Sequence, residues 1–150
     1  MRVGKFILLG LVVLFSSEVF GQSKRNTTPG EVAFDGYDLV SYFDSPVPLK
    51  GSDDITFEYD GLKLSFSDTD NLNKFKSDPD KYLPSYGGWC ATAMINNNFV
   101  IPSYSMYKIQ DGELLFFQVK AFFNAYTHWE KKPEKNKISA DESYTKSFGE

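Results

Sequence analysis

The sequence predicts one small α+β domain with two Asp-Gly β-hairpins and several short helices. Three observations predict it. Segments of alternating apolar and polar residues flank Asp60-Gly61, and a second pair of strand-like segments flanks Asp111-Gly112. Asp-Gly is a favoured pair for the two-residue type I′ hairpin turn. Segments of helical spacing lie between and after the hairpins, opened by capping residues. Beyond an apolar N-terminal stretch the chain runs for about 130 residues, enough for one core without disulfides. Strand pairs mixed with short helices define the α+β class.

In the first hairpin, Ile55, Phe57 and Tyr59 share one face and are matched by Leu62, Leu64 and Phe66, while Glu58, Lys63 and Ser65 are expected to face water. Ser67 or Asp68 is placed to N-cap a helix to about Lys76, with Leu72 and Phe75 turned inward. Asp78-Pro79 starts a second short helix, because proline suits the first helical position. The second hairpin pairs Tyr104 to Ile109 with Glu113 to Phe117, and its run Leu114-Leu-Phe-Phe117 predicts a strand buried on both faces. Val119, Phe122, Phe123, Tyr126 and Trp129 follow helical spacing and predict one helix ending before Pro133. Lys131 to Lys137 reads as a charged loop, and Ser139-Ala-Asp-Glu142 has capping-box form and opens a last short helix toward Phe148. No internal repeat is visible in the residues.

Residues 1–21 read as a secretory signal peptide. Arg2 and Lys5 give the positive n-region, Phe6 to Phe15 the apolar segment, and Val19-Phe20-Gly21 the cleavage site. The apolar segment is too short for a membrane span, so no stable membrane insertion is expected after cleavage. This places the protein in the periplasm or outside the cell. Residues 22–30 are polar and are expected to form a disordered leader, with the domain at 31–150. Losing Arg2, Lys5 and Glu18 takes the formal charge from −4 to −5. An acidic chain without a basic run argues against nucleic acid and anionic membranes as partners. Nine Tyr and fourteen Phe supply core rings first and an aromatic ligand box only second.

Cys90 is the sole cysteine, so an exported chain cannot close an internal disulfide. If Gly87-Gly88 lets the chain turn into a helix, Cys90 lies in its first turn, where a thiolate is favoured. Such a thiol serves as nucleophile, redox group or soft-metal ligand; most free cysteines are instead small buried hydrophobes. Cys90, Met94, Met106 and His128 are the soft or borderline donors beyond the signal, a set suited to copper or another soft metal. Cys90 and Met94 stand four residues apart, while His128 lies opposite the apolar stripe of its segment. No Gly-x-Ser-x-Gly, phosphate loop or Ca²⁺ loop is present.

The ordered series Phe34-Asp-Gly-Tyr37-Asp38-Leu-Val-Ser-Tyr42-Phe43, Lys50-Gly-Ser, Phe57-x-Tyr59-Asp60-Gly61, Phe75-Lys-x-Asp78-Pro79-x-Lys-Tyr82 and Tyr86-Gly-Gly-Trp-Cys90-Ala resembles the exported YHS-domain proteins over about residues 31–94. The resemblance implies a small α+β domain. Some relatives of that branch carry selenocysteine after Gly-Gly-aromatic, the position of Cys90, which implies redox or soft-metal chemistry there. The wider YHS group is thought to bind metal through three cysteines, which would fall on Ser41, Ser67 and Asn71 here. All three are lost, so any chemistry is expected at Cys90. Tyr37, Tyr42, Tyr86 and Trp89 belong to the same pattern and are core rings or the walls of a pocket beside Cys90. A redox role with one cysteine implies an external thiol or a redox partner protein. The alternative is a non-enzymatic binding or assembly module with an inert cysteine.

Overall fold

The computed structural model describes residues 23–149. The expected signal peptide lies outside the described residues. In chain order the elements are a 3-10 turn at Ala33–Gly36, α1 Ser41–Asp44, β1 Ser52–Tyr59, β2 Leu62–Phe66, α2 Thr69–Ser77, α3 Pro79–Tyr82, a second 3-10 turn at Ser85–Gly88, α4 Ala91–Met94, β3 Ser103–Gln110, β4 Glu113–Phe117, β5 Val119–Lys120, β6 Phe123–Asn124, α5 Ala125–Trp129 and α6 Pro133–Phe148. The strands form three separate antiparallel pairs, β1-β2, β3-β4 and β5-β6. The fold is α+β, as the hairpin and helix signals predict.

Both Asp-Gly turns form. Asp60 and Gly61 have φ of 48° and 75°, and Asp111 and Gly112 have φ of 54° and 83°. Two successive positive φ values are what a type I′ turn needs, and Asp tolerates the first of them. Asp68 caps α2 by accepting the Asn71 N–H at 2.8 Å, and Pro79 opens α3.

The two halves of the chain repeat one fold. The register of β1-β2 (Ser52↔Phe66, Thr56↔Ser65, Phe57↔Leu64, Tyr59↔Leu62) reappears 51 residues on in β3-β4 (Ser103↔Phe117, Tyr107↔Phe116, Lys108↔Leu115, Gln110↔Glu113), with the bulge in the same place. Each hairpin is preceded by a 3-10 turn with the same two left-handed residues, Phe34 and Asp35 in the first half, Tyr86 and Gly87 in the second. Each half then adds a one-turn helix, and bridges pair Val32 with Lys63 and Pro84 with Leu114. The large ring of the following helix packs alike, Phe75 on Phe66 and Trp129 on Phe117. The expectation of no internal repeat is corrected. The residues hide the repeat because what is preserved is backbone conformation and ring size: Phe34 answers to Tyr86, Tyr37 to Trp89, Asp38 to Cys90 and Phe75 to Trp129.

Two cores result, with β4 between them. Leu114 and Phe116 join Phe34, Tyr42, Leu64 and Phe75 in the first, while Leu115 and Phe117 join Cys90, Met94, Trp129 and Ala140 in the second. Alternate side chains leave opposite faces of a strand, so the apolar run of β4 is a wall buried on both sides. Its counterparts of Leu114 and Phe116 in β2 are Lys63 and Ser65, which have no second core to meet.

Four expectations are corrected. Ser65 is buried rather than solvated, and its Oγ donates to Gly36 O at 3.2 Å. Val119 to Trp129 is not one helix: Asn124 Oδ1 accepts the Tyr126 and Thr127 N–H groups and starts α5 only there, and Val119–Asn124 turns back as β5-β6, leaving Phe122 fully exposed. Ser139 opens no helix, because α6 already begins at Pro133 and runs to Phe148, closing on Gly149 with φ of 75°. Residues 23–30 carry no helix or strand, yet 23–26 are a strap rather than a free leader. Asn26 N–H donates to Gly87 O at 2.9 Å, the Arg25 guanidinium pairs with Asp60, and Trp89 Nε1 and Tyr144 Oη donate to Ser23 O and Lys24 O. The strap thus ties the turn of the first hairpin to the second half. Starting the chain at Thr28 should remove about 2 kcal/mol, on the order of 5–10 °C in Tm. An unchanged melting curve would show that the strap contributes nothing.

Candidate functional site

Asp38 and Cys90 occupy the same position in the two halves. The Asp38 N–H donates to Leu49 O and the Cys90 N–H to Val100 O, both at 2.9 Å. Both backbones leave a 3-10 turn whose last hydrogen bond runs from residue 37 to Phe34 O, or from residue 89 to Tyr86 O. Both side chains meet the N–H of the residue that follows the second hairpin strand. Asp38 Oδ2 accepts Ser67 N–H at 2.9 Å, and Cys90 Sγ accepts Gln118 N–H at 3.3 Å.

The surroundings differ. The Asp38 carboxylate is fully buried, and it also accepts Val40 N–H, Ser67 Oγ and Asn71 Nδ2 at 2.9, 2.7 and 2.7 Å. Among the described residues it forms no ion pair and is held by neutral donors, an arrangement that offsets part of the cost of burying a carboxylate. In the second half no side chain takes the places of Ser67 Oγ and Asn71 Nδ2. The Gln118 amide turns away to Ile101 O at 3.2 Å. A cavity of about 250 Å³ opens there instead, lined by Cys90 together with Thr92, Val100, Gln118, Phe123 and His128. Cys90 itself is only 1% exposed, so its residue is almost wholly covered although it lines the cavity. Cys90 is the N-cap of α4, a single turn, rather than a residue inside a helix. The donor that meets its sulfur is therefore the Gln118 N–H, not a long helix dipole.

Of the four soft donors, the structure brings Cys90 and His128 to one cavity. Met94 is fully buried in the second core and Met106 packs against it from β3, and neither lines the cavity. Among the described residues no group of three or more His, Cys, Asp and Glu could hold a metal ion. The four-donor copper set does not fit this arrangement, and no step below runs through a metal.

The three positions that the YHS resemblance assigns to cysteines do converge, around Asp38. Ser67 and Asn71 donate to its carboxylate, and Ser41 Oγ donates to Asp38 O at 2.6 Å while accepting Leu49 N–H at 2.8 Å. A closed hydrogen-bond network fills that place. Asp38 escaped the sequence reading, because one acidic residue in an aromatic stretch gives no sign that four donors will surround it.

The four aromatic residues do not form a pocket beside Cys90, and none lines its cavity. Tyr42 Oη donates to Tyr104 O and Tyr86 Oη to Asp141 Oδ1, both at 2.8 Å. Trp89 Nε1 is engaged by the strap, and the Tyr37 ring lies beneath Lys50 Nζ at 3.8 Å. β4 separates Tyr37 and Tyr42, which belong with the first core, from the thiol, while Tyr86 and Trp89 share the second core with Cys90. Burial, first of all, pushes the Tyr42, Tyr86 and Tyr104 hydroxyls upward, Tyr104 to about 12. Neutral tyrosine is the form the fold favours, and the unfolded chain ionises near 10. Stability is therefore complete below pH 10 and is lost as pH rises through 12. An ultraviolet titration of tyrosinate should show a late group of hydroxyls that ionise together with unfolding. A single early transition in the folded chain would contradict this.

No protein-family model matches the chain, and neither a search of curated proteins nor one of solved structures finds a match.

Proposed function

We propose that this protein is an exported thiol-based redox protein of YHS type, in which Cys90 exchanges with an external thiol or disulfide. One observation carries the reading. A duplicated frame holds a carboxylate at Asp38, and at the same position of the second copy stands a sulfur with a cavity beside it. Packing alone would fill that space as the first copy does. The anion held in the first copy supports reading the second as a thiolate site, since the thiolate is the nucleophile in disulfide exchange.

The step balances with one cysteine. The Cys90 sulfur attacks one sulfur of an external disulfide, a new S–S bond forms, the old one breaks, and the departing thiolate takes a proton from solvent. A second external thiol then releases Cys90 by the same exchange in reverse.

The test is mixed-disulfide formation followed by mass spectrometry, on the folded and the urea-unfolded chain. The folded protein should gain one adduct, and Cys90→Ser should gain none while losing no more than about 1 kcal/mol of stability. An adduct that forms only on unfolding would make Cys90 an inert core residue. The protein would then be a binding or assembly module.

A further inference from the structure

Independently of the thiol reading, we propose that the tip of the β5-β6 hairpin is a lipid-contact site that seats the protein reversibly on a mildly anionic membrane surface. Five consecutive residues there, Val119-Lys-Ala-Phe-Phe123, are exposed. Phe122 is fully exposed and Phe123 about half, at 104% and 51%. The hairpin is short: only Val119↔Asn124 and Lys120↔Phe123 pair, so Ala121 and Phe122 form its end. Its base is fixed to the domain. Val119 N–H donates to Ser103 Oγ at 3.3 Å and Ala125 N–H to Gln118 O at 3.0 Å. Gln118 Nε2 donates to Ile101 O at 3.2 Å, which sets Ile101, itself 63% exposed, beside the hairpin. Four of the seven large apolar side chains that the described residues expose thus gather at one end of the molecule.

Size and charge select the occupant. At about 200 Å² for a fully exposed ring, the two phenylalanines offer about 300 Å². Even with Ile101 and Val119 the patch stays below the ~800 Å² per partner of a stable protein interface. A lipid surface sets no such minimum, because partition grows with each apolar group that enters it. The chain has 20 acidic residues, yet between Lys81 and Trp129 only Asp111 and Glu113 are acidic. Both lie at the turn of β3-β4, separated from the hairpin by the length of β4, five residues or about 14 Å. Glu130, the next acid, is held by Lys108 Nζ at 2.6 Å. Lys120 stands in the exposed tip, and among the described residues it forms no ion pair. The net charge of −4 opposes an anionic surface for the chain as a whole. Charges farther than about 8 Å are screened at physiological salt, so Lys120 and the acid-free hairpin decide at the point of contact. A lysine stem can lie along apolar groups while its ammonium stays among the headgroups. The open backbone of the turn keeps the tip at headgroup depth, since bare peptide groups do not enter hydrocarbon.

The experiment is vesicle flotation of the chain from Gln22 to Glu150, which holds the whole described domain without the apolar N-terminal stretch. Vesicles are of phosphatidylcholine alone or with about one quarter phosphatidylglycerol. The mixed vesicles should carry more protein than the neutral ones, and 1 M salt should narrow the difference. Phe122→Ser should lower the partition about tenfold on both, and Lys120→Glu about fivefold on the mixed vesicles alone. Both side chains are exposed, and an unchanged melting curve controls for folding. Phe122→Trp supplies a local reporter, whose emission should move to shorter wavelength with vesicles while that of the buried Trp89 and Trp129 in the parent chain does not. Flotation that Phe122→Ser leaves unchanged would overturn the proposal. So would no flotation with either vesicle, and a dimer that Phe122→Ser abolishes would then give the tip to a second copy of the chain.

Discussion

Asp38→Ala should cost about 4 kcal/mol in urea unfolding, the largest loss expected from any single truncation in the first half. The substitution removes one acceptor and strands four donors: the N–H groups of Val40 and Ser67, Ser67 Oγ and Asn71 Nδ2. Position 38 is fully buried, so water cannot replace the carboxylate without opening the core. Each stranded buried donor costs on the order of 1–3 kcal/mol, with partial relief by rearrangement. Asp38→Asn should recover little, because its Nδ2 would face donors. Cys90→Ala is the internal control. It releases only the Gln118 N–H and should cost about 1–2 kcal/mol. Equal losses at the two positions would mean that the carboxylate network is not what holds the first half.

The second large effect is expected at Gly51. A Cβ there would lie 2.4 Å from Ser65 C and 2.6 Å from Phe66 N. Both are backbone atoms of β2, and no side-chain rotation can clear them. The Gly51 N–H also donates to Gly36 O at 2.8 Å, which pins the chain in place. Gly51→Ala should therefore cost about 3 kcal/mol through forced displacement of β2. Gly61→Ala provides the contrast, since its φ is 75° but nothing lies within 4 Å of the added carbon. It should cost about 1 kcal/mol from backbone strain alone. If Gly61→Ala proved the worse of the two in chemical denaturation, the close approach of strands at Gly51 would be without consequence.

Local signals in the residues were legible and long-range ones were not. Asp60-Gly61 and Asp111-Gly112 announce their turns because the pair supplies the needed φ values. The doubly buried β4 was legible because Leu114-Leu-Phe-Phe117 leaves no polar face. Val119 to Trp129 misled because its apolar spacing also suits a helix, and only the capping geometry of Asn124 decides against one. The strap was illegible, since Ser23 and Lys24 accept through backbone carbonyls that every sequence has, and the partners of the Arg25 and Asn26 side chains, Asp60, Gly88 and Tyr104, lie far along the chain. At the site, Cys90 stood out as the lone thiol. Its likeness to Asp38 is a relation between backbones and is invisible to a comparison of side chains. His128 was noticed as a donor, but its place on the rim of the Cys90 cavity depends on α5 starting late, which the spacing concealed.

The double burial of β4 has a calorimetric consequence. Repeated units that merely touch melt in steps, each with its own heat. Here Leu114 and Phe116 belong to one core and Leu115 and Phe117 to the other, on a strand of five residues. Neither repeat can come apart without pulling that strand out of both. Heating should therefore give a single endotherm whose van't Hoff and calorimetric enthalpies agree. The heat should be that of the whole domain and not of half of it, despite the twofold plan of the chain.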